Sequence, residues 1–230
     1  MTGVATVGVV VLGVAMLASL YASVRQENVA ALVNTVGSIA VTLAPFSVLV
    51  LPGWPSPDVG LLWELAFWIA VAGVLHSLGM LSLYESTSWW DHLTHVVSAT
   101  LLAALLYAAY LVALEQPVDW PLVAVATLGS TFALGVVWEL VELVARDVGR
   151  RYDVEPMLVY YGWLDSAFDL VFDVAGAVLV VWLDLRPFVP LLEPFPRATR
   201  TLLTVTGVVA VVGGALMAAY VVVNDASPTE

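Results

Sequence analysis

Apolar runs long enough to cross a bilayer recur along the whole chain, and no other feature narrows its choice of fold as much. A helix of about 20 apolar residues spans a hydrocarbon core of about 30 Å. Seven such segments can be drawn, at about 3–22, 29–51, 61–84, 90–114, 120–145, 164–183 and 201–223. Polar or helix-breaking stretches separate them: Arg25-Gln26-Glu27-Asn28, PGWPSPDVG at 52–60, Gln116-Pro117, a polar loop at 146–156, and a connector with Pro187, Pro190, Pro194 and Pro196,. The first segment lacks the basic start of a signal peptide and is read as a span. The expected fold is all-α, a polytopic transmembrane helix bundle of about seven spans forming one domain over 1–230.

Composition agrees. Hydrophobic residues make up 61% of the chain and charged residues 11%, against roughly half and a quarter in soluble domains. The bilayer is therefore the expected partner and a multi-pass place in the cell membrane the expected location, with no nucleic-acid partner. The absence of cysteine excludes disulfides and thiolate metal sites,. All seven basic residues are arginine, against nineteen acidic residues, for a net charge of −12. That balance points to a halophile, and the lack of lysine removes a retinal Schiff base. Trp54, Trp63, Trp89, Trp90, Trp120 and Trp163 fall near segment ends, as an aromatic belt requires,. Arg25, Arg146, Arg150 and Arg151 fall on one side and Arg186, Arg197 and Arg200 on the other, a narrow preference for a cytoplasmic C-terminus,.

Connectivity puts the ends of the third and fifth segments, and the starts of the fourth and sixth, on the same side. The unusual residues sit there. His76 and Tyr84 lie late in the third segment, and Asp91, His92 and His95 open the fourth. Glu139 and Glu142 close the fifth, and Asp165, Asp169 and Asp173 open the sixth. At about 100° per residue, Asp165, Asp169, Asp173 and Gly176 share one helical face. Asp91 and His95 share another, as do Glu139 and Glu142. The aspartate stripe rises about 12 Å, from the interface into the hydrocarbon.

Six carboxylates cannot stay ionised and unpaired at that depth, so they protonate, pair or bind a cation. Carboxylates with neutral imidazole suit a divalent ion such as Zn²⁺, Mn²⁺ or Fe²⁺. The expected ligands are Asp91, His95, Glu139, Asp169 and Asp173, with Glu142 and Asp165 as catalytic groups and Glu142 the general base. Plainer roles stand beside these. Asp91 and Asp165 suit helix N-termini as caps, and Glu142 is in register to pair with Arg146. His76 suits an interhelical hydrogen bond. His92, out of phase with Asp91 and His95, suits an interfacial site. Asp169, Asp173, Glu139 and His95 resist such explanations. A C-terminal position in the fifth segment would also set Glu139 and Glu142 against the helix dipole.

The ordered set LHSLG at 75–79, Tyr84, Asp91-x-x-x-His95, Glu139-x-x-Glu142, W-x-D-x-x-x-D at 163–169 and Gly176 resembles a family of uncharacterised bacterial and archaeal membrane proteins typified by YjdF. It is more distantly similar to the VanZ-like proteins. The resemblance covers about 61–182 and implies a fold and a polar set, but no reaction. Three departures stand out: Tyr160-Tyr161-Gly162 replaces a usual Gln-Gly-Asp, His92 a usual arginine, and Asp173 an asparagine of the VanZ-like proteins. Three functions follow as expectations: a metal-dependent hydrolase of a lipid or lipid-linked substrate, a proton- or divalent-cation-coupled transporter, and a non-catalytic membrane factor.

Overall fold

Each long apolar run folds as a helix, and the polar residues between runs end one helix and start the next. The computed structural model describes residues 2–50, 57–114, 119–152 and 163–225, and every regular element among them is helical. Helix α1 spans Thr2–Arg25 and α2 spans Val29–Leu43. Glu27, at φ 56°, closes α1 in a Schellman turn,. Its N–H donates to Val24 O at 3.3 Å, and the Asn28 N–H reaches Ser23 O at 3.0 Å. Asn28 then caps α2, its Oδ1 accepting from the Ala31 N–H at 2.8 Å,. Its amide also donates to Met80 O at 3.2 Å, tying this turn to the far end of the third span. A 3₁₀ segment, Ala44–Val50, continues α2.

Helix α3, Val59–Leu78, starts behind Asp58, whose Oδ1 accepts from the Gly60 N–H at 2.7 Å. It runs into a π-helical turn, Gly79–Leu83, and a final short turn, α4, at Tyr84–Ser86. Then follow α5 (Trp90–Ala113), α6 (Trp120–Tyr152), α7 (Trp163–Trp182), the four-residue α8 (Val189–Leu192) and α9 (Pro196–Asp225). Among the described residues, six helices are long and apolar enough to cross a membrane: α1, α5, α6 and α9, and α2 and α3 with their continuations. Helix α7, with 20 residues and so a length of about 30 Å, carries the three aspartates.

One expected loop is mostly helix. Helix α6 extends to Tyr152, so residues 146–152 are helical and the rest of that loop lies outside the described residues, as do Trp54, Gln116-Pro117 and Tyr160-Tyr161-Gly162. Polar pairing with α9 supports the extension: Arg146 Nη2 donates to Tyr220 Oη at 3.3 Å, and Tyr220 donates to Asp147 Oδ2 at 2.6 Å. Glu139 and Glu142 consequently lie more than two turns from the end of α6. The helix dipole, felt only within the last turn, does not act on them.

Packing divides around α5. Helix α3 packs on α1, α2 and α5, whereas α6 packs on α5, α7 and α9. The tightest pairing is α5 with α7, where Ala99, Ala103 and Ala177 are buried and Gly176 lies against the α5 backbone. Small residues allow such an approach in lipid, where packing rather than water exclusion joins helices. The outside is apolar, with Val211 74% and Trp182 76% exposed, while Glu139 and Asp169 are only 1% and 2% exposed. In water such a surface would aggregate; in a bilayer it is the solvated face. Trp89, Trp120 and Trp163 are exposed at helix starts, where an aromatic belt would sit,.

Candidate metal centre

The first turns of α5 and α7 meet where α6 passes them, and their acids and imidazoles converge there. His95 is at the centre. Its Nδ1–H donates to Asp173 Oδ1 at 3.1 Å, a direction set by a carboxylate that only accepts. Its Nε2 then faces two more carboxylates, Asp169 Oδ1 at 3.8 Å and Asp91 Oδ1 at 4.0 Å. Both gaps exceed hydrogen-bond length. With Nδ1 protonated, a neutral ring turns its Nε2 lone pair toward two anionic oxygens, an arrangement that favours a cation between them.

Asp91, His95 and Asp169 each offer one ligand atom, and these three atoms lie within 4.8 Å of one another. Two ligands of one zinc-sized ion stand about 3–3.5 Å apart when each bond is about 2.1 Å. The three donors would therefore draw slightly together around an ion. Among the buried polar atoms, Asp169 Oδ1 and both oxygens of Glu139 complete no hydrogen bond. Buried polar atoms in folded proteins nearly always have partners, and the neighbouring His92 Nδ1, 3.5 Å from Asp169 Oδ1, and Ser166 Oγ also complete none.

The surrounding groups are held from three helices. Glu139 on α6 is fully buried beside Ser166, without a completed hydrogen bond between them. Glu142 lies within electrostatic reach of Glu139, His95, Asp91 and Asp169, and Asp165 within reach of His92 and His95. A Cβ at Gly135 on α6 would collide with Asp173 Oδ2, so a glycine there gives the carboxylate its room. Asp91 and Asp165 occupy first helical turns, as expected. Of the expected ligands, Asp91, His95 and Asp169 come together as donors. Asp173 instead takes the opposite nitrogen of His95, and Glu139 stands behind.

One contact escaped the sequence reading. His92 Nδ1 lies 3.5 Å from Asp169 Oδ1, with its ring stacked on Phe172 at 4.4 Å. Its i−3 spacing from His95 was the available signal, since residues three apart are neighbours on a helix. The interhelical hydrogen bond expected of His76 is present, as part of a hydrogen-bonded row. Tyr84 Oη lies 2.7 Å from His76 Nδ1, and His76 Nε2 lies 3.2 Å from Ser98 Oγ. The π-helical turn folds the Tyr84 ring back over Gly79, where any Cβ would strike it. A cavity of about 320 Å³ adjoins this row and His95, with Trp138, Leu102 and Leu134 among its walls.

The fold and this cluster define a multi-pass, all-α membrane protein with a buried carboxylate–imidazole centre. The sequence profile described as "Predicted membrane protein (DUF2238)" matches residues 7–188, most of the chain, and the protein belongs to that family. No curated protein and no solved structure matches it.

Proposed function

We propose that the cluster is a divalent metal centre of an intramembrane hydrolase that acts on a lipid or lipid-linked substrate in the cell membrane. One observation carries the reading: Asp91, His95 and Asp169 bring three donor atoms within 4.8 Å of one another while Asp173 holds the far side of the His95 ring. A carboxylate on the outer nitrogen of a ligating histidine fixes its tautomer and raises its basicity. Two carboxylates and one imidazole suit Zn²⁺, Mn²⁺ or Fe²⁺. Such an ion acidifies a bound water. Glu142 would hold the proton given up by the attacking water and return it to the departing oxygen as that oxygen's bond to the acyl or phosphoryl centre breaks. Asp165, at the mouth of the cluster, is the second group to test in turnover. Glu139, within electrostatic reach of His95 and Asp173, is the further ligand to test. The finer kinship to YjdF-like and VanZ-like proteins rests on the order of these same motifs.

Elemental analysis of protein purified without chelators or metal-affinity resin tests the reading. Wild type is expected to carry a stoichiometric divalent ion, and Asp169→Asn to lose it while keeping its helical circular dichroism. Asp173→Ala is expected to weaken retention by about 10–100-fold, as loss of an orienting partner does. Equal metal content in wild type and Asp169→Asn refutes the assignment. A second reading, a proton- or divalent-cation-coupled transporter, draws on the aspartate stripe along α7,. Cation flux into proteoliposomes that collapses in Asp169→Asn would favour it. An intact, metal-free protein without flux would leave a non-catalytic membrane factor.

A further inference from the structure

A second cavity, of about 620 Å³, lies between α1, α3 and α5 and the connector that follows α7. Its walls are apolar, from Val4 of α1 to Leu101 of α5 and Phe188 of the connector, apart from two polar side chains, Glu64 and Thr100. Thr100 uses its proton on its own helix, donating to Val96 O at 2.7 Å. Glu64 is the one charged group in the lining. It lies within the candidate span Val59–Ser86, about 7.5 Å along α3 from Val59. Among the described residues its carboxylate has neither a hydrogen bond nor an ion pair. Arg186, between the lining residues Leu185 and Pro187, is already held by Asp184 at 2.7 Å. An ionisable group within a span is costly and is ordinarily paired. Here no described side chain supplies the partner.

The same face of α3 carries two aromatic rings. Phe67 and Trp68 follow Glu64 at i+3 and i+4, the spacing that makes helical neighbours, and both line the cavity. Their centroids are 5.3 Å apart and their planes 71° apart, so they form a corner rather than a stack. Glycine at position 8 of α1 leaves room for the Phe67 ring, which any Cβ there would strike. A carboxylate beside aromatic rings is the chemistry that recognises a quaternary cation: the ring faces attract its diffuse charge and the carboxylate balances it. We propose that this cavity binds a lipophilic organic cation, a quaternary ammonium or phosphonium centre carrying apolar groups, with its charge at Glu64, Phe67 and Trp68. Charge complementarity singles out this occupant. A lipid tail would leave Glu64 without a partner, and an anionic head group would be repelled by it. The volume of about 620 Å³ lies within the roughly 300–1,000 Å³ of small-molecule sites. His76 lies about 18 Å further along α3, so the site is separate from the carboxylate–imidazole centre and does not rest on an ion there.

Tetraphenylphosphonium is the probe, with tetraphenylborate as an anion of the same shape. Binding of each, in separate experiments, is measured by equilibrium dialysis of the full-length protein in a non-ionic detergent against protein-free micelles. Wild type is expected to bind the phosphonium saturably, and the borate no more than empty micelles do. Glu64→Gln is expected to weaken phosphonium binding about 30-fold or more, the effect of removing one partner of a buried charge pair, while its helical circular dichroism stays at the wild-type level. Trp68→Leu, which stays apolar but loses the ring, is expected to weaken binding about two- to fivefold. Leu101→Trp fills the same cavity from α5 and is expected to abolish binding, a check that does not depend on the folding of Glu64→Gln. No saturable phosphonium binding by wild type, equal affinity in folded Glu64→Gln, or equal affinity for the borate overturns the proposal. Wild-type affinity in Leu101→Trp overturns it as well.

Discussion

Replacing Gly176 by alanine tests whether α5 and α7 lie as close as the centre requires. A Cβ at 176 would stand 2.7 Å from Val96 O and 2.9 Å from both Thr100 N and Thr100 Oγ1, where ordinary contact begins at 3.4 Å. The obstacle is largely backbone, so no side-chain rotation relieves it. The helices must part by roughly 0.5–1 Å, enough to forfeit a quarter to a half of the dispersion energy of each separated pair. Overpacking of this kind costs about 1–3 kcal/mol. At about 2–4 °C per kcal/mol for a chain of this size, Tm should fall by about 2–12 °C. The same separation stretches the 3.1 Å bond between His95 and Asp173 beyond hydrogen-bond range, so metal retention should fall with stability. The assay is thermal unfolding in detergent by circular dichroism, with elemental analysis of the same samples. Gly129→Ala is the control, because nothing lies within 4 Å of a Cβ there and alanine favours a helix by up to about 1 kcal/mol. A Tm for Gly176→Ala no lower than that of Gly129→Ala would refute the close approach and the registration of His95 on Asp173.

Two further predictions concern the turns. Glu27 is held at φ 56°, a left-handed conformation that strains a side chain by about 1–2 kcal/mol. Glu27→Gly should raise Tm by about 2–4 °C after the entropy of glycine in the unfolded chain is allowed for, and an unchanged or lower Tm contradicts this. Asp184, just outside the span of α7, accepts from Arg186 Nε at 2.7 Å and from the Tyr107 hydroxyl. The Arg186 guanidinium foremost, with Tyr107, holds its carboxyl below the usual value of 3.8. A depressed folded value stabilises the native state above the unfolded pKa and is lost as pH falls through the folded one. The Tm advantage of wild type over Asp184→Asn should therefore be present at pH 6 and shrink toward pH 3. A constant difference across that range would disprove the linkage.

The helices were legible because lipid imposes a length and a composition, and the chain meets both in run after run. Their ends were less so. Residues 146–152, with three arginines and an aspartate, read as a solvated loop, yet Asp147 finds Tyr220 more than 70 residues away, a partner that no local pattern discloses. Helical register also brought the acids of α5, α6 and α7 to one height, since connectivity and a 3.6-residue repeat suffice for that. Register does not say which nitrogen of an imidazole meets which carboxylate. Asp169 and Asp173 share a face of α7, yet one faces Nε2 of His95 and the other Nδ1. That difference separates a ligand from the group that aims a ligand. The π-helical turn after α3 was equally hidden, because Gly79 and Tyr84 reveal their fit only once the ring folds back.

Charge balance ties these observations together. Six carboxylates, Asp91, Glu139, Glu142, Asp165, Asp169 and Asp173, surround two imidazoles, His92 and His95. Helix N-termini relieve Asp91 and Asp165 by up to about 1 kcal/mol each at exposed ends, far less than the several kcal/mol needed to bury a bare charge. Two imidazolium rings would neutralise two acids at most. A proton on His95 Nε2 would face oxygens 3.8 and 4.0 Å away, within ion-pair reach though beyond hydrogen-bond length. The proposed divalent ion at that point would neutralise Asp91 and Asp169 together, with Asp173 holding the far nitrogen of His95. The acids that remain are Asp165 and the pair Glu139 and Glu142, three residues apart on α6 and within electrostatic reach of one another.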